Sequence, residues 1–274
     1  MLRIDCVKAI SRNLRDLVID SVPASLTGSS IDALKLIHPN AQQLMGKDFY
    51  IYSGAGAGQE RIIGSLNIAN RRIIFSEVFA SIPSINSNFL IFDFFAKDEY
   101  DNALDRMIGR AKQSYLEDKV ATLAVVASQY EYPVPSGFKY ISDLKLVPSG
   151  HTDYSADDEV SRIFELQHTL WSILPNASGS YMIKFDARKI DMDVIDNEWL
   201  NVVGQVEPDI GATDNATIPA ALEEFIINGA SMIMASSRIR ENEREWYSKF
   251  LMFKGVTDQL ESYIFRHKRG KQVG

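Results

Sequence analysis

Residues 54–58 read Gly-Ala-Gly-Ala-Gly, and a glycine run of this density is the kind of segment that cradles a phosphate. A P-loop follows its glycines with Lys and then Ser or Thr, because the lysine meets the outer phosphates and the hydroxyl meets magnesium. Here Gly58 is followed by Gln59 and Glu60, an amide and an acid. The dinucleotide-binding version needs a helix to open after the glycines, so that unpaired N–H groups face the pyrophosphate. The next residues, Arg61-Ile62-Ile63-Gly64, have strand character instead. The run is read as a hairpin turn between two strands, where residues without a Cβ take positive φ, and no nucleotide cofactor is expected.

The other residues with chemical potential are scattered. His38, His151, His168 and His267 show no His-x-x-x-His pairing, so their spacing does not match a zinc site. Asp191, Asp193 and Asp196 alternate as calcium ligands do, but the glycine and closing glutamate of an EF-hand loop are missing. A solvated loop is the expectation, with no metal. Cys6 is the sole cysteine, which excludes an internal disulfide and suits a reducing compartment. It lies in a helix-like segment without a base partner and reads as a small buried hydrophobe. No Gly-x-Ser-x-Gly elbow is present, and Glu223 and Glu224 open a helix, where negative side chains favour the dipole. A noncatalytic protein is expected. Trp171, Tyr181 and Trp199 could stack on sugar rings, which makes a carbohydrate-binding β module fused to a helical domain an alternative reading; the same aromatics also suit a core.

Composition narrows the class. The 274 residues are 46% apolar, enough for a real core in one large domain or two ordinary ones, and carry a net charge of −7. That acidity argues against a surface that grips nucleic acid throughout, which needs a basic field. Charges recur every few positions in the first segment, and no run approaches about 18 apolar residues, so neither a secretory signal nor a membrane span is expected.

The elements alternate in character. Ile4, Val7, Ile10, Leu14, Leu17 and Val18 recur at helical spacing and predict a helix over 2–19, before Pro23. Short β-type runs separated by Gly, Asn, Ser and Pro fill 26–95, with SLNIAN and FASIPSINS as connecting turns, and predict a small antiparallel barrel or sandwich. A second helix is predicted over 98–119, followed by sheet-like stretches from ATLAVVA to WLNVVGQV. Beyond Pro219 two helices form an antiparallel hairpin, with Asn228-Gly229-Ala230-Ser231 allowing close approach. The class is α+β: a helical bundle from 1–22, 96–121 and 219–266, a β module over 23–95, a β-rich segment over 122–218, and a basic tail over 267–274.

The segment YEYPVPSGFKYISDLKLVP (130–148), coming after YDNALDRMIGRAKQSYLEDK (100–119) and before the helical stretch 217–265, resembles the head-to-tail connector, or adaptor, proteins of tailed bacteriophages. The block YSGAGAGQERIIGSLNIANRRIIFSEVFASIPSINSNFLIFDF (52–94) is similar to a β module inserted in many phage structural proteins. The resemblance covers about 40–266. It implies a virion structural protein of the neck, assembled in the host cytoplasm, that forms a ring, usually dodecameric, between the portal protein and the tail, stopper or gatekeeper protein. Such a ring lets DNA pass without sequence recognition, and an acidic lumen fits that task. A tail-completion or gatekeeper protein is the alternative within the same setting. The resemblance also implies that the C-terminal segment faces the portal, which assigns portal docking to Phe265, Arg266, His267, Lys268, Arg269 and Lys271. This basic stretch contains no acid, and helix-dipole complementarity accounts for two of its positions at most, since that effect fades within a turn.

Overall fold

Ile4, Val7, Ile10 and Leu14 share one buried face, and in the computed structural model they form helix α1, Arg3–Leu14. The structure describes residues 1–21, 25–32, 41–67, 69–70, 72–147, 164–195, 198–240, 242–264 and 271–272. The helix stops short of the expected residue 19. Arg15 takes a left-handed φ of 62°, and Asp16 donates its N–H to Ser11 O at 2.8 Å, closing the last turn. Leu17–Ser21 then forms strand β1, paired antiparallel with β7, Asn88–Phe92.

Asp16 makes that switch. Its buried carboxylate accepts the N–H of Asp93 at 3.0 Å, the N–H of Phe94, and the hydroxyl of Tyr100. Burial pushes its pKa above the ordinary carboxylate value, against the lowering effect of these bonds.

The β module is one open antiparallel sheet. Between β1 and β7 come β2 (Ser25–Thr27), β3 (Ser30–Asp32), β4 (Asp48–Ser53), β5 (Glu60–Asn67) and β6 (Arg72–Phe75), in the spatial order β1-β7-β4-β5-β6-β3-β2. The barrel or sandwich expected here is therefore corrected: the described strands do not close. The sheet is curled nonetheless. Phe49 on β4 and Phe75 on β6 lie two strands apart, about 9.6 Å in a flat sheet, yet their ring centroids are 4.6 Å apart. Ile51, Ile63, Ile73, Phe79, Phe89 and Ile91 fill the concave face with them.

The glycine run is the β4–β5 turn, with φ of 84°, 81° and 88° at Gly54, Gly56 and Gly58. Besides conformational freedom it supplies room. A Cβ on Gly54 would lie 2.7 Å from Ser87 Cα, whereas one on Gly58 would meet nothing.

Helix α2 spans Lys97–Ser114. Its first turn is capped from two sides: Glu99 reaches back to the Ala96 N–H at 3.0 Å, and Glu60 on β5 accepts the Lys97 N–H at 3.1 Å. The residues expected to extend it to Lys119 instead begin β8, Glu117–Ala124. The terminal hairpin forms as expected from α3 (Ala220–Ser237) and α4 (Glu243–Ile264). Gly229 permits the expected close approach, since a Cβ there would lie 2.1 Å from Met107 Cε of α2.

A polar node ties these elements together. The Lys97 ammonium, with its side chain 5% exposed, contacts Asp101 at 2.7 Å and Asp214 at 3.0 Å. Asp214 also accepts the Tyr50 hydroxyl. Buried Arg3 reaches Asp105 at 2.8 Å and Asp101 at 3.3 Å, and its N–H donates to Ala216 O.

The chain divides into two compact units, Met1–Ala111 with Ile210–Ile264, and Lys112–Asp209 with Phe265–Gly274. In the second, β10 (Phe138–Val147) pairs with β14 (Trp199–Val206), which pairs with β8 in unbroken register. On the outer edge of β10 lie β11 (Phe164–Glu165) and β15 (Lys271–Gln272). A second small sheet has the order β12 (Trp171–Pro175), β13 (Tyr181–Phe185), β9 (Glu131–Pro133). Ile141, Leu144, Trp171, Ile183, Leu200 and Val202 belong to the shared core of this unit.

Two outcomes follow from this packing. Replacing Gly54 by Ala should cost at least about 1 kcal/mol more in chemical denaturation than replacing Gly58, because both substitutions strain φ but only the first overlaps a neighbouring backbone; equal losses would contradict the close approach. Asp16→Asn keeps an oxygen for the two N–H groups and removes a titration. A carboxyl whose pKa is raised on folding contributes stability present below its unfolded value, near pH 4, and lost as pH rises through the folded value. Thermal melts across the acid range should therefore show the variant gaining on the wild type as pH rises, and a pH-independent gap would refute it.

Candidate functional site

The sequence-derived candidates are only partly brought into view. Phe265, Arg266, His267, Lys268 and Arg269 lie outside the described residues, as do His38, His151 and Asp196; Lys271 falls in β15, opposite Ile141 of β10. His168 is exposed, 3.8 Å from an Asp143 carboxylate oxygen and tilted against Trp171 with ring centroids 5.3 Å apart. Asp191 accepts the Asp193 N–H at 3.0 Å, and Asp193 accepts the Ser128 hydroxyl at 2.8 Å, so this pair shapes a turn. Cys6 is buried, and burial pushes its thiol up to about 12. Trp171 is buried at one end of the β12–β13 hairpin, Tyr181 is at the other, and Trp199 pairs with Ala124 in the other sheet. The three aromatics share no platform.

The hairpin glycines lead to a different site. Residues 76–87, between β6 and β7, pack against the turn, and Gln59 holds them at both ends of its amide. Its Oε1 accepts the Ala80 N–H at 2.8 Å, and its Nε2 donates to Ser81 O at 2.7 Å. Arg61 donates through Nε and Nη2 to Val78 O at 3.1 and 2.9 Å. Ser87 donates its hydroxyl to Ala55 O at 2.7 Å and accepts the Ser84 N–H at 2.9 Å. Phe79 turns inward onto Phe75, with centroids 4.8 Å apart.

This loop is fixed, yet three of its apolar side chains face out. Val78 is 67% exposed, Ile82 59% and Ile85 62%. Beside the loop lies an open cleft of about 380 Å³ whose wall includes Asp48, Glu60, Glu77 and Asp98, with Arg61 as the cation among its lining residues. Burial raises the pKa of Asp48, with the charges of Asp98 and Glu99 adding to it, and burial likewise raises that of Glu60. The arrangement offers no nucleophile paired with a base. It offers an apolar contact surface with an acidic flank, suited to a partner that presents apolar and basic groups together. Helix α4 adds a further apolar line, Met252, Val256 and Tyr263, at helical spacing on its exposed side.

The sequence reading places a connecting turn at FASIPSINS, residues 79–87, and leaves Glu77 and Val78 outside it. Apolar residues set among Ser, Pro and Asn were the available signal, since a solvated turn has no use for Val78, Ile82 and Ile85 together. The acidic cleft left no local trace, because its carboxylates come from four separated segments.

None of the described helices is long and apolar enough to cross a membrane. No protein-family model matches the chain, and no curated protein does. Among solved structures, a chain from the neck of an empty GTA particle, computed with C6 symmetry, is 15% identical with a TM-score of 0.24. The match covers 50% of this chain and 63% of that one, less than two thirds of its length.

Proposed function

We propose that this chain is a noncatalytic structural protein of the neck of a tailed-phage-like virion. As an adaptor it forms a ring, dodecameric by the resemblance, between the portal protein and the tail, stopper or gatekeeper protein. DNA passes through the ring without sequence recognition. The observation that carries this reading is the loop holding Val78, Ile82 and Ile85 outward on a hydrogen-bonded frame. Covering a loop already fixed in place costs little conformational entropy, which favours an assembly contact. The order of helices, β module, β-rich segment and helical hairpin is what the sequence resemblance implies, and the net charge of −7 suits a channel that repels phosphates. The basic segment Phe265, Arg266, His267, Lys268, Arg269 and Lys271 is the portal-docking element in this reading.

The test is sedimentation of the purified chain alone and mixed with its portal. At low concentration the chain alone should stay small, and a ring should form on the portal. Ile82→Asp with Ile85→Asp should leave the melting curve within about 0.5 kcal/mol of wild type and abolish ring formation. Replacing Arg266, Lys268 and Arg269 by Gln should weaken attachment and remove its salt dependence. A wild-type chain that never binds portal sinks the adaptor reading; an undiminished loop variant sinks the role of the loop alone.

A further inference from the structure

The ten-residue strand β10 has two unlike edges. Its inner edge pairs with β14 from Phe138 to Val147. Its outer edge is filled by two short pieces: β11 opposite Lys145 and Leu146, and β15 opposite Tyr140 and Ile141. β15 makes only two residue pairs. When it lifts away, the first half of β10 becomes an open edge of unpaired N–H and C=O groups, which acts as a template for another extended segment. The segment whose backbone fits that seat is the one already in it.

A further observation favours exchange between chains. The seat adjoins a cleft of about 320 Å³ at the same end of the sheet, where Phe138, Val206 and Glu117 follow one another across β10, β14 and β8. Glu117, Asp118, Glu207 and Asp209 line it against the single cation Lys119, while Lys139 pairs with Glu207 at 3.2 Å. A segment carrying Arg266, Lys268, Arg269 and Lys271 is drawn to such a place.

We propose that the outer edge of β10 is a strand-exchange site, in which Lys271–Gln272 of one copy of this chain replaces the same segment of another. Reciprocal exchange between two copies closes a pair, and exchange passed from one copy to the next builds rings or open chains. This mode of self-association does not depend on the portal or on any neck location.

The experiment uses full-length chains with single added cysteines. One carries Tyr140→Cys, the other Gln272→Cys, at positions paired across β10 and β15; opposed residues of antiparallel strands lie within disulfide reach. The native Cys6 is buried and stays protonated, so it contributes no background. Under mild oxidation an equimolar mixture should give a covalent heterodimer linking the two added cysteines, with a yield that rises at least tenfold with protein concentration. A chain carrying both substitutions should close within itself when dilute and give ladders when concentrated. If that doubly substituted chain closes only within itself while the mixture yields no heterodimer at any concentration, the strand belongs to its own chain and the proposal fails. If it does not close at all, the seat itself is refuted.

Discussion

A single ammonium organises the larger unit. Lys97 lies almost out of reach of water, and a buried cation without compensation costs several kcal/mol. Asp101 and Asp214 supply that compensation from different parts of the chain, one a turn along the same helix and the other in the segment that returns from the second unit. Asp214 in turn receives the Tyr50 hydroxyl from β4, and Asp101 shares its charge with Arg3 at the start of α1. Compensation of these charges at one point thus brings α1, β4, α2 and residues 210–218 together. The Lys97 N–H is capped by Glu60 of β5, the strand from which Arg61 holds the exposed loop.

What was legible in the sequence was local. The α3–α4 hairpin followed from apolar spacing sustained over more than forty residues, and the glycine turn followed from the residues on either side of it. The boundary of α1 was not legible, because Leu17, Val18 and Ile19 satisfy a helical stripe and a strand equally well. The choice between them is made by N–H groups of Asp93 and Phe94, which reach Asp16 only in the folded chain. The same holds for Glu117–Ala124, whose strand state depends on an eight-residue register with Trp199–Val206. Val78, Ile82 and Ile85 were hidden for the opposite reason. The Ser, Pro and Asn around them read as a connecting turn, and nothing in their spacing says that a hydrogen-bonded frame holds them outward.

The two surfaces described here differ in physics. The loop at residues 76–87 is rigid, held by side-chain amide, guanidinium and hydroxyl groups, and its contact energy comes from apolar area. The edge of β10 is a seat for backbone, where direction and register come from the strand ladder and attraction from charge. A protein that carries both can associate through one while the other stays in reserve, and the contacts respond to salt in different ways: the apolar contact hardly at all, the charged one strongly.

The interruption of the first unit by the second has a consequence for biosynthesis. Residues 1–111 emerge from the ribosome with α1 and the curled sheet already encoded, but Asp214, and the carbonyl of Ala216 that receives the Arg3 N–H, follow only after the intervening 112–209. Until then Lys97 has the Asp101 carboxylate and the Tyr50 ring but not its second carboxylate. The intervening stretch, by contrast, holds β8 to β14 and nearly the whole of its core in one continuous piece. The order of maturation is therefore inverted relative to the order of synthesis: the middle of the chain completes its core first, and the beginning waits for the end.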